Sequence, residues 1–407
     1  MERVGAGVTR RVAVTGMGVV TPIGQTVESY ARALQEGRSG GGPITLFDTA
    51  DLPTRIAAEV PWAGPILRDR KVTFALEAAR QALEGPRPPG VGGLSLGIGL
   101  ELFSMDDLAA RARPGFVPPT TRADRLTFLQ TPSDLCVHLI AQRHDLRAPP
   151  LTHVSACAAG TDAIGSAFRL VASGRRDWVL AGGADSMINP LGVAGFARIG
   201  ATTTANDAPR KASRPFDRRR DGFLLGEGAA FLLLEPLEGA RARGAHVHAE
   251  IAGYGSSFDA CGISEPHPEG RGAYQAMSRA LAEAGVEPAQ IDCVNAHGTS
   301  TPKNDPVETL ALKRLLGPRA REVPVCATKS MIGHLISAAG AAEAVAAILG
   351  LEGGWVHPTI NLEDPDPDCD LDYVPGRVRS HRQRHVLSSS FAFGGQNAAI
   401  VLRSADA

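Results

Sequence analysis

The chain has 407 residues, with 42 Lys and Arg against 43 Asp and Glu and a formal net charge of −1. That balance gives no electrostatic reason to expect nucleic acid or a membrane as an obligatory partner. The length suffices for a large core, either roughly two to three average domains or one large two-halved unit. Hydrophobic residues make up 43% of the chain, yet no apolar run approaches the ~18 residues of a transmembrane helix. The first residues lack the apolar core of a signal peptide, so a cytoplasmic enzyme is expected. Six cysteines (136, 157, 261, 293, 326 and 369) are scattered without a C-x-x-C pair. No zinc site, other metal or disulfide framework is therefore expected.

Strand-like and helix-like runs alternate along the chain, the pattern of an α/β fold with mainly buried strands. In the first half, strands are predicted at Arg11–Thr15, Leu94–Leu100, Leu151–Ser155, Trp178–Gly182 and Ala229–Leu234. The Gly16-Met-Gly18 pair after the first of these has no third glycine and no acidic residue ending a second strand, so it reads as a tight turn rather than a dinucleotide site. A similar series follows: a strand at Val247–Tyr254, a helix over Ala273–Ala284, a strand at Ile291–Asn295 and a helix over Pro306–Leu316. It continues with a strand at Val323–Ala327, an Ala-rich helix over Ser337–Leu351, and strands at Leu387–Phe393 and Ala398–Leu402. The repeated order suggests an internal duplication with its boundary in Glu235–Gly244, giving halves 1–243 and 244–407.

Cys157 lies where a short strand from Leu151, read as buried, meets an apolar-periodic helical run, Ala158 to Ser173. A thiol at a helix N-terminus meets unpaired backbone N–H groups and the positive end of the helix dipole, which lower its pKa and can also serve an oxyanion. Taken alone, Cys157 reads more readily as a small buried core residue, as most cysteines are. The second half changes that balance. Asn295-Ala-His297-Gly-Thr299-Ser-Thr301 and Thr328-Lys329-Ser-Met-Ile-Gly333-His334 each follow a strand, and α/β folds gather ligands at such strand ends. Ser390-Phe-Ala-Phe393-Gly394-Gly395-Gln-Asn397 begins as a strand and then turns sharply, which can direct a backbone N–H inward. Two histidines and a thiol in Gly-bearing loops at strand ends point to catalysis.

These segments, together with Phe216-Asp217-Arg-Arg-Arg-Asp221-Gly222-Phe223-Leu-Leu-Gly226-Glu227-Gly228, resemble the β-ketoacyl-acyl carrier protein synthase family of thiolase-like condensing enzymes, in order and over nearly the whole chain. The resemblance implies a five-layered αβαβα fold of two duplicated halves, usually dimeric, with the nucleophile in the first half and both histidines in the second. It implies decarboxylative Claisen condensation of an acyl-Cys157 with a malonyl thioester, the Cys157 and Phe393 amides forming an oxyanion hole. By the same resemblance, Lys329 pairs with Glu343. Thr299 and Thr301 hydrogen-bond the pantetheine arm, and Phe393, Gly394 and Gly395 complete the substrate site. No cofactor is implied beyond the phosphopantetheine of the acyl carrier protein.

Asn304-Asp305-x-x-Glu308-Thr309-x-Ala311-x-Lys313-Arg314-x-Leu316-Gly317 and Asp366-Pro-Asp-Cys-Asp-Leu-Asp-Tyr-Val-Pro375 are more similar to ketosynthase subunits of type II polyketide systems than to housekeeping fatty-acid enzymes. The Phe391–Asn397 loop is closer to other branches, so an aromatic, polyene or reduced product stays open. A chain-length-factor subunit of this fold typically lacks the cysteine, and thiolases typically replace one histidine role. The partners implied are an acyl carrier protein and either a second copy or a chain-length-factor-like homologue. The expected carrier surface is Arg68, Arg70 and Lys71 with Arg210, Lys211, Arg214, Arg218, Arg219 and Arg220. The segments Ala158–Ala172 and Gly182–Gly200 read either as a dimer face or as internal core.

Overall fold

The computed structural model describes residues 10–67, 69–99, 115 and 132–406. Ten strands form the main sheet: β1 (Val12–Val20), β2 (Gly92–Ile98), β3 (Leu151–His153), β4 (Trp178–Ser186), β5 (Glu227–Pro236), β6 (Ala249–Phe258), β7 (Cys293–Asn295), β8 (Val325–Cys326), β9 (His385–Phe391) and β10 (Gln396–Arg403). Their spatial order is β3-β2-β4-β5-β1 followed by β6-β10-β9-β7-β8. Numbered within its own half, each set of five reads 3-2-4-5-1. In each set the second strand runs parallel to both of its neighbours, and the fifth runs antiparallel to the fourth and the first. The fold is thus a duplicated mixed α/β unit. The halves join through antiparallel pairing of Val12–Val14 with Ala249–Ile251.

The longer helices that build the layers are α1 (Arg70–Ala82), α2 (Pro132–His144), α3 (Ala159–Ala172), α4 (Arg271–Ala284), α5 (Asn304–Leu316) and α6 (Ala339–Gly353). Helices α1 and α2 cover the outer face of the first half, and α4 and α5 cover that of the second. Between the halves lie α3 and α6, packed on each other, which gives the αβαβα layering. Their Ala- and Gly-rich composition follows from this place. A helix walled by sheet on both sides has little room for long side chains, and Gly160, Gly165 and Gly340 stand where a Cβ would fall within 3 Å of a neighbour. The stretch Ile336–Gly353 is long and apolar enough to cross a membrane by composition, contrary to the expectation from the sequence. It is 83% buried inside the protein and serves as its central core helix.

The duplication extends to the turns that open the two central helices. Ala156 (φ 46°) and Ile336 (φ 48°) both hold left-handed backbone, and each begins a short 3-10 turn leading into α3 or α6. For non-glycine residues this conformation costs about 1–3 kcal/mol, and such positions cluster at functional sites. The residue after Ala156 is Cys157.

Three expectations about elements are corrected. Gly16 and Gly18 lie inside β1, not in a turn after it, and a Cβ on either would fall about 2 Å from a carbonyl oxygen of α1 (Ala82 at 2.1 Å, Ala78 at 1.9 Å). Strand β3 is an exposed edge rather than a buried strand, with Leu151 38% and the following Val154 70% accessible. Ala158–Ala172 and, of the second segment, Gly182–Ser186 in β4 belong to the interior, whereas the remainder up to Gly200 carries the exposed Leu191 and Ile199.

Candidate active site

Strand ends of both halves and the start of α3 deliver their loops to one pocket of about 240 Å³. Cys157, Phe223, His297, Thr299, Thr301, His334 and Phe393 are among its walls. Cys157 sits at its floor, 3% exposed. The Phe393 amide and its own N–H are directed at the sulfur. The Phe393 amide is turned inward because Gly394 and Gly395 both adopt φ 81°, and Asp259 N–H donates to the Gly395 carbonyl at 2.6 Å, tying the turn to the end of β6.

The expectation of a lowered thiol pKa is not met. Burial pushes the Cys157 thiol up to about 11, with buried Asp185 adding to the rise, while the charge of Lys329 and the two amides only partly offset it. The helix dipole is a fraction of a charge, whereas removing a thiolate from water costs several pKa units, so desolvation wins.

His297 and His334 are each 2% exposed, with ring centroids 5.4 Å apart and planes at 85°. Their hydrogen bonds fix both tautomers. Lys329 Nζ donates to His297 Nδ1 at 3.2 Å, and Ile336 N–H donates to His334 Nδ1 at 3.1 Å. An ammonium and an amide N–H can only donate, so both Nδ1 atoms carry lone pairs and both protons reside on Nε2. Burial and the nearby Lys329 hold both imidazoles well below their ordinary pKa, so both are neutral.

Lys329, 1% exposed, organises this arrangement. It donates to the His297 carbonyl at 2.7 Å and pairs with Glu343, a fully buried side chain of α6. Removing one partner of such a pair would strand the other charge in the interior. Thr299 and Thr301 share a 2.9 Å hydrogen bond on the pocket wall.

Several residues that shape the site were not picked out individually from the sequence. Glu308 and Asp305 lie at the start of α5, both fully buried. Glu308 accepts from the amides of His297 (2.7 Å) and Gly298 (2.8 Å), and Asp305 accepts from Thr299 N–H at 3.2 Å. Burial raises the Glu308 carboxyl to about 7. The sequence signal was available, since acidic residues three apart in a first helical turn share a face and can cap a preceding loop.

Arg220, expected on a carrier-docking surface, is instead buried. It donates to the carbonyls of Thr301 (3.0 Å) and Pro302 (3.2 Å) and to Asp366 (2.6 Å), so it props the Thr299–Pro302 loop from behind. Lys71 is 1% exposed and paired with Asp69, while Arg70 is held by the buried Glu227. None of the three can form an open basic patch. Arg68 lies outside the described residues. Lys211, Arg218 and Arg219 are exposed but paired with Glu363, Asp364 and Asp217.

A buried thiol facing two neutral N–H donors at the strand ends of a duplicated α/β fold defines a thiol-dependent acyltransferase. Residues 9–73 and 68–240 match the family "Beta-ketoacyl synthase, N-terminal domain", and residues 248–363 match "Beta-ketoacyl synthase, C-terminal domain". The chain is 41% identical over 418 residues to a 3-oxoacyl-[acyl-carrier-protein] synthase 2 of Synechocystis sp. (97% of this chain, 98% of the relative). It is 42% identical over 415 residues to a putative polyketide beta-ketoacyl synthase 1 of Streptomyces cyaneus, with the same coverage. Among solved structures, the ishigamide ketosynthase/chain length factor superposes with a TM-score of 0.86 at 36% identity, covering 97% of this chain and 99% of that one. The chain therefore belongs to the β-ketoacyl synthase family and is a 3-oxoacyl-acyl carrier protein synthase type of acyltransferase.

Proposed function

We propose that this chain is the elongating ketosynthase of a bacterial type II polyketide system, with residues 1–243 supplying the nucleophile and 244–407 both histidines. The observation that carries the catalytic assignment is the convergence of the Cys157 sulfur and two Nε2–H donors, of fixed tautomer, on one pocket. Cys157 sulfur attacks the acyl carbonyl of a carrier thioester, the carrier's C–S bond breaks, and the thiol proton ends on the released carrier sulfur; the same Cys157 sulfur later serves as the leaving group when carbon attacks. The Cys157 and Phe393 amides hold the oxyanion that forms on the acyl carbonyl at each of these steps.

Loss of carbon dioxide from a malonyl thioester places enolate charge on the thioester oxygen. His297 and His334 donate Nε2–H to that oxygen, each donor being worth on the order of 3 kcal/mol in such a site. Neutral imidazoles suit this role because they stabilise the enolate without giving up a proton to it. Lys329 and Glu343 keep the His297 tautomer in place. Thr299 and Thr301 hydrogen-bond the amides of the pantetheine arm, with Phe393, Gly394 and Gly395 along its path.

The partners proposed are an acyl carrier protein and a dimer mate, either a second copy or a chain-length-factor-like homologue. The open edge of β3, with Leu151 and Val154 exposed beside it, supports a mate that extends the sheet. Six free cysteines support a cytoplasmic location. The competing pathway, housekeeping fatty-acid elongation, draws on the equally similar Synechocystis relative.

The two pathways separate when the chain, alone and co-expressed with a neighbouring homologue, is given malonyl-carrier protein and acyl-carrier protein. In a polyketide pair, extension depends on the co-expressed homologue, whether the chain stays poly-β-keto or becomes a polyene or reduced chain once reductive enzymes are supplied. Full extension by the chain alone, indifferent to the homologue and giving saturated acyl chains once the reductive enzymes are supplied, would assign the chain to fatty-acid synthesis.

A further inference from the structure

On the side of the molecule away from the acyl pocket, the chain leaving the boundary between the halves carries His246 and His248 into β6, and both rings meet Glu352 at the end of the central helix α6. His246 Nε2 lies 2.6 Å from one carboxylate oxygen of Glu352, and His248 Nδ1 lies 3.1 Å from the other. The two rings are 4.5 Å apart and nearly perpendicular. One ligand atom from each residue can be chosen so that all lie within 4.8 Å of one another. The next residues fix the backbone, since His248 N–H donates to the Val14 carbonyl of β1 at 2.9 Å.

We propose that His246, His248 and Glu352 bind a divalent transition-metal ion, zinc(II) being the best match. Two imidazoles and a carboxylate form an N₂O donor set of a kind borderline ions favour. A tetrahedral ion with bonds of about 2.0–2.1 Å needs donors roughly 3.3 Å apart; the three ligand atoms lie within 4.8 Å of one another, so small side-chain rotations bring them to that spacing. One carboxylate also offsets half the charge of the ion, which two neutral imidazoles alone would not.

The side chains of His246, His248 and Glu352 are 66%, 23% and 36% exposed, so an ion can enter from solvent and a water can take the fourth position. The site links the inter-half connection to the helix at the centre of the fold. Binding there ties the start of β6 to the end of α6 within the second half and takes no part in condensation. Cysteine spacing carries no trace of this site, whose ligands are two histidines and a glutamate 104 residues beyond His248.

The test titrates zinc(II) into the metal-free full-length enzyme against a chromophoric chelator. A Cys261→Ser background removes the exposed thiol, a rival zinc ligand. One ion bound per chain is expected, with affinity falling at least tenfold in each of His246→Ala, His248→Ala and Glu352→Gln. Zinc(II) should also raise the unfolding temperature of the parent and not of the variants, with condensation activity unchanged by the substitutions. Equal binding by the parent and a His246→Ala/His248→Ala double variant, or no ion retained by the parent, would overturn the proposal.

Discussion

Cys157 and its two histidines illustrate how far local surroundings decide chemistry. The thiol is held near 11, so its alkylation by iodoacetamide should rise about tenfold per pH unit from pH 7 to 9 with no plateau, because the thiolate fraction is still growing there. A plateau below about pH 8 would show a depressed pKa instead. Lys329 pulls the thiol pKa down, so Lys329→Met should slow alkylation at pH 8 further.

The histidines behave oppositely, their folded pKa lying below that of the unfolded chain. Their neutral form persists as pH falls, and carbon dioxide release should stay level down to about pH 6. Stability shows the other side of the same linkage. Below about pH 6.5 the unfolded chain takes up protons these buried rings refuse, so acid favours unfolding. Replacing either histidine by Ala should slow carbon dioxide release from malonyl-carrier protein by roughly 100-fold while slowing self-acylation of Cys157 much less. Equal losses in both steps would assign that histidine to the thiol instead.

At the scale of elements, the turn after β9 carries the Phe393 amide, and its two glycines are not equivalent. Both have φ 81°, but a Cβ on Gly395 would stand 2.2 Å from the Asp259 carbonyl oxygen, whereas one on Gly394 meets only a side-chain amide at 3.9 Å. Gly395→Ala should therefore cut self-acylation at least about tenfold more than Gly394→Ala, measured as adduct formation over time.

The strand and helix order was legible in the alternating periodicity, and so were the strand-end loops of His297 and His334. The sequence did not show that β1 runs on through Gly16 and Gly18, because glycine reads locally as a turn and only the approach of α1 explains it. Nor did it separate Arg220 and Lys71 from surface charges. A run of arginines carries no mark of burial until the Thr301 and Pro302 carbonyls and Asp366 are seen around one of them.

For the whole molecule, the duplicated strand order brings the starts of α3 and α6 together, and so a nucleophile from one half meets donors from the other. The proposed dimer mate extends the sheet at the exposed edge of β3. Val154→Arg should shift the protein towards monomer in size-exclusion chromatography with light scattering, since a buried unpaired charge opposes pairing. An unchanged dimer would place the interface elsewhere.

Cys157 as the acyl carrier is tested most directly by intact-protein mass measurement with peptide mapping after incubation with an acyl-carrier protein thioester. One acyl increment located on Cys157 in the wild type, and none in a folded Cys157→Ala variant, is the expected result. An adduct that persists in the variant, or that maps to another cysteine, would contradict it.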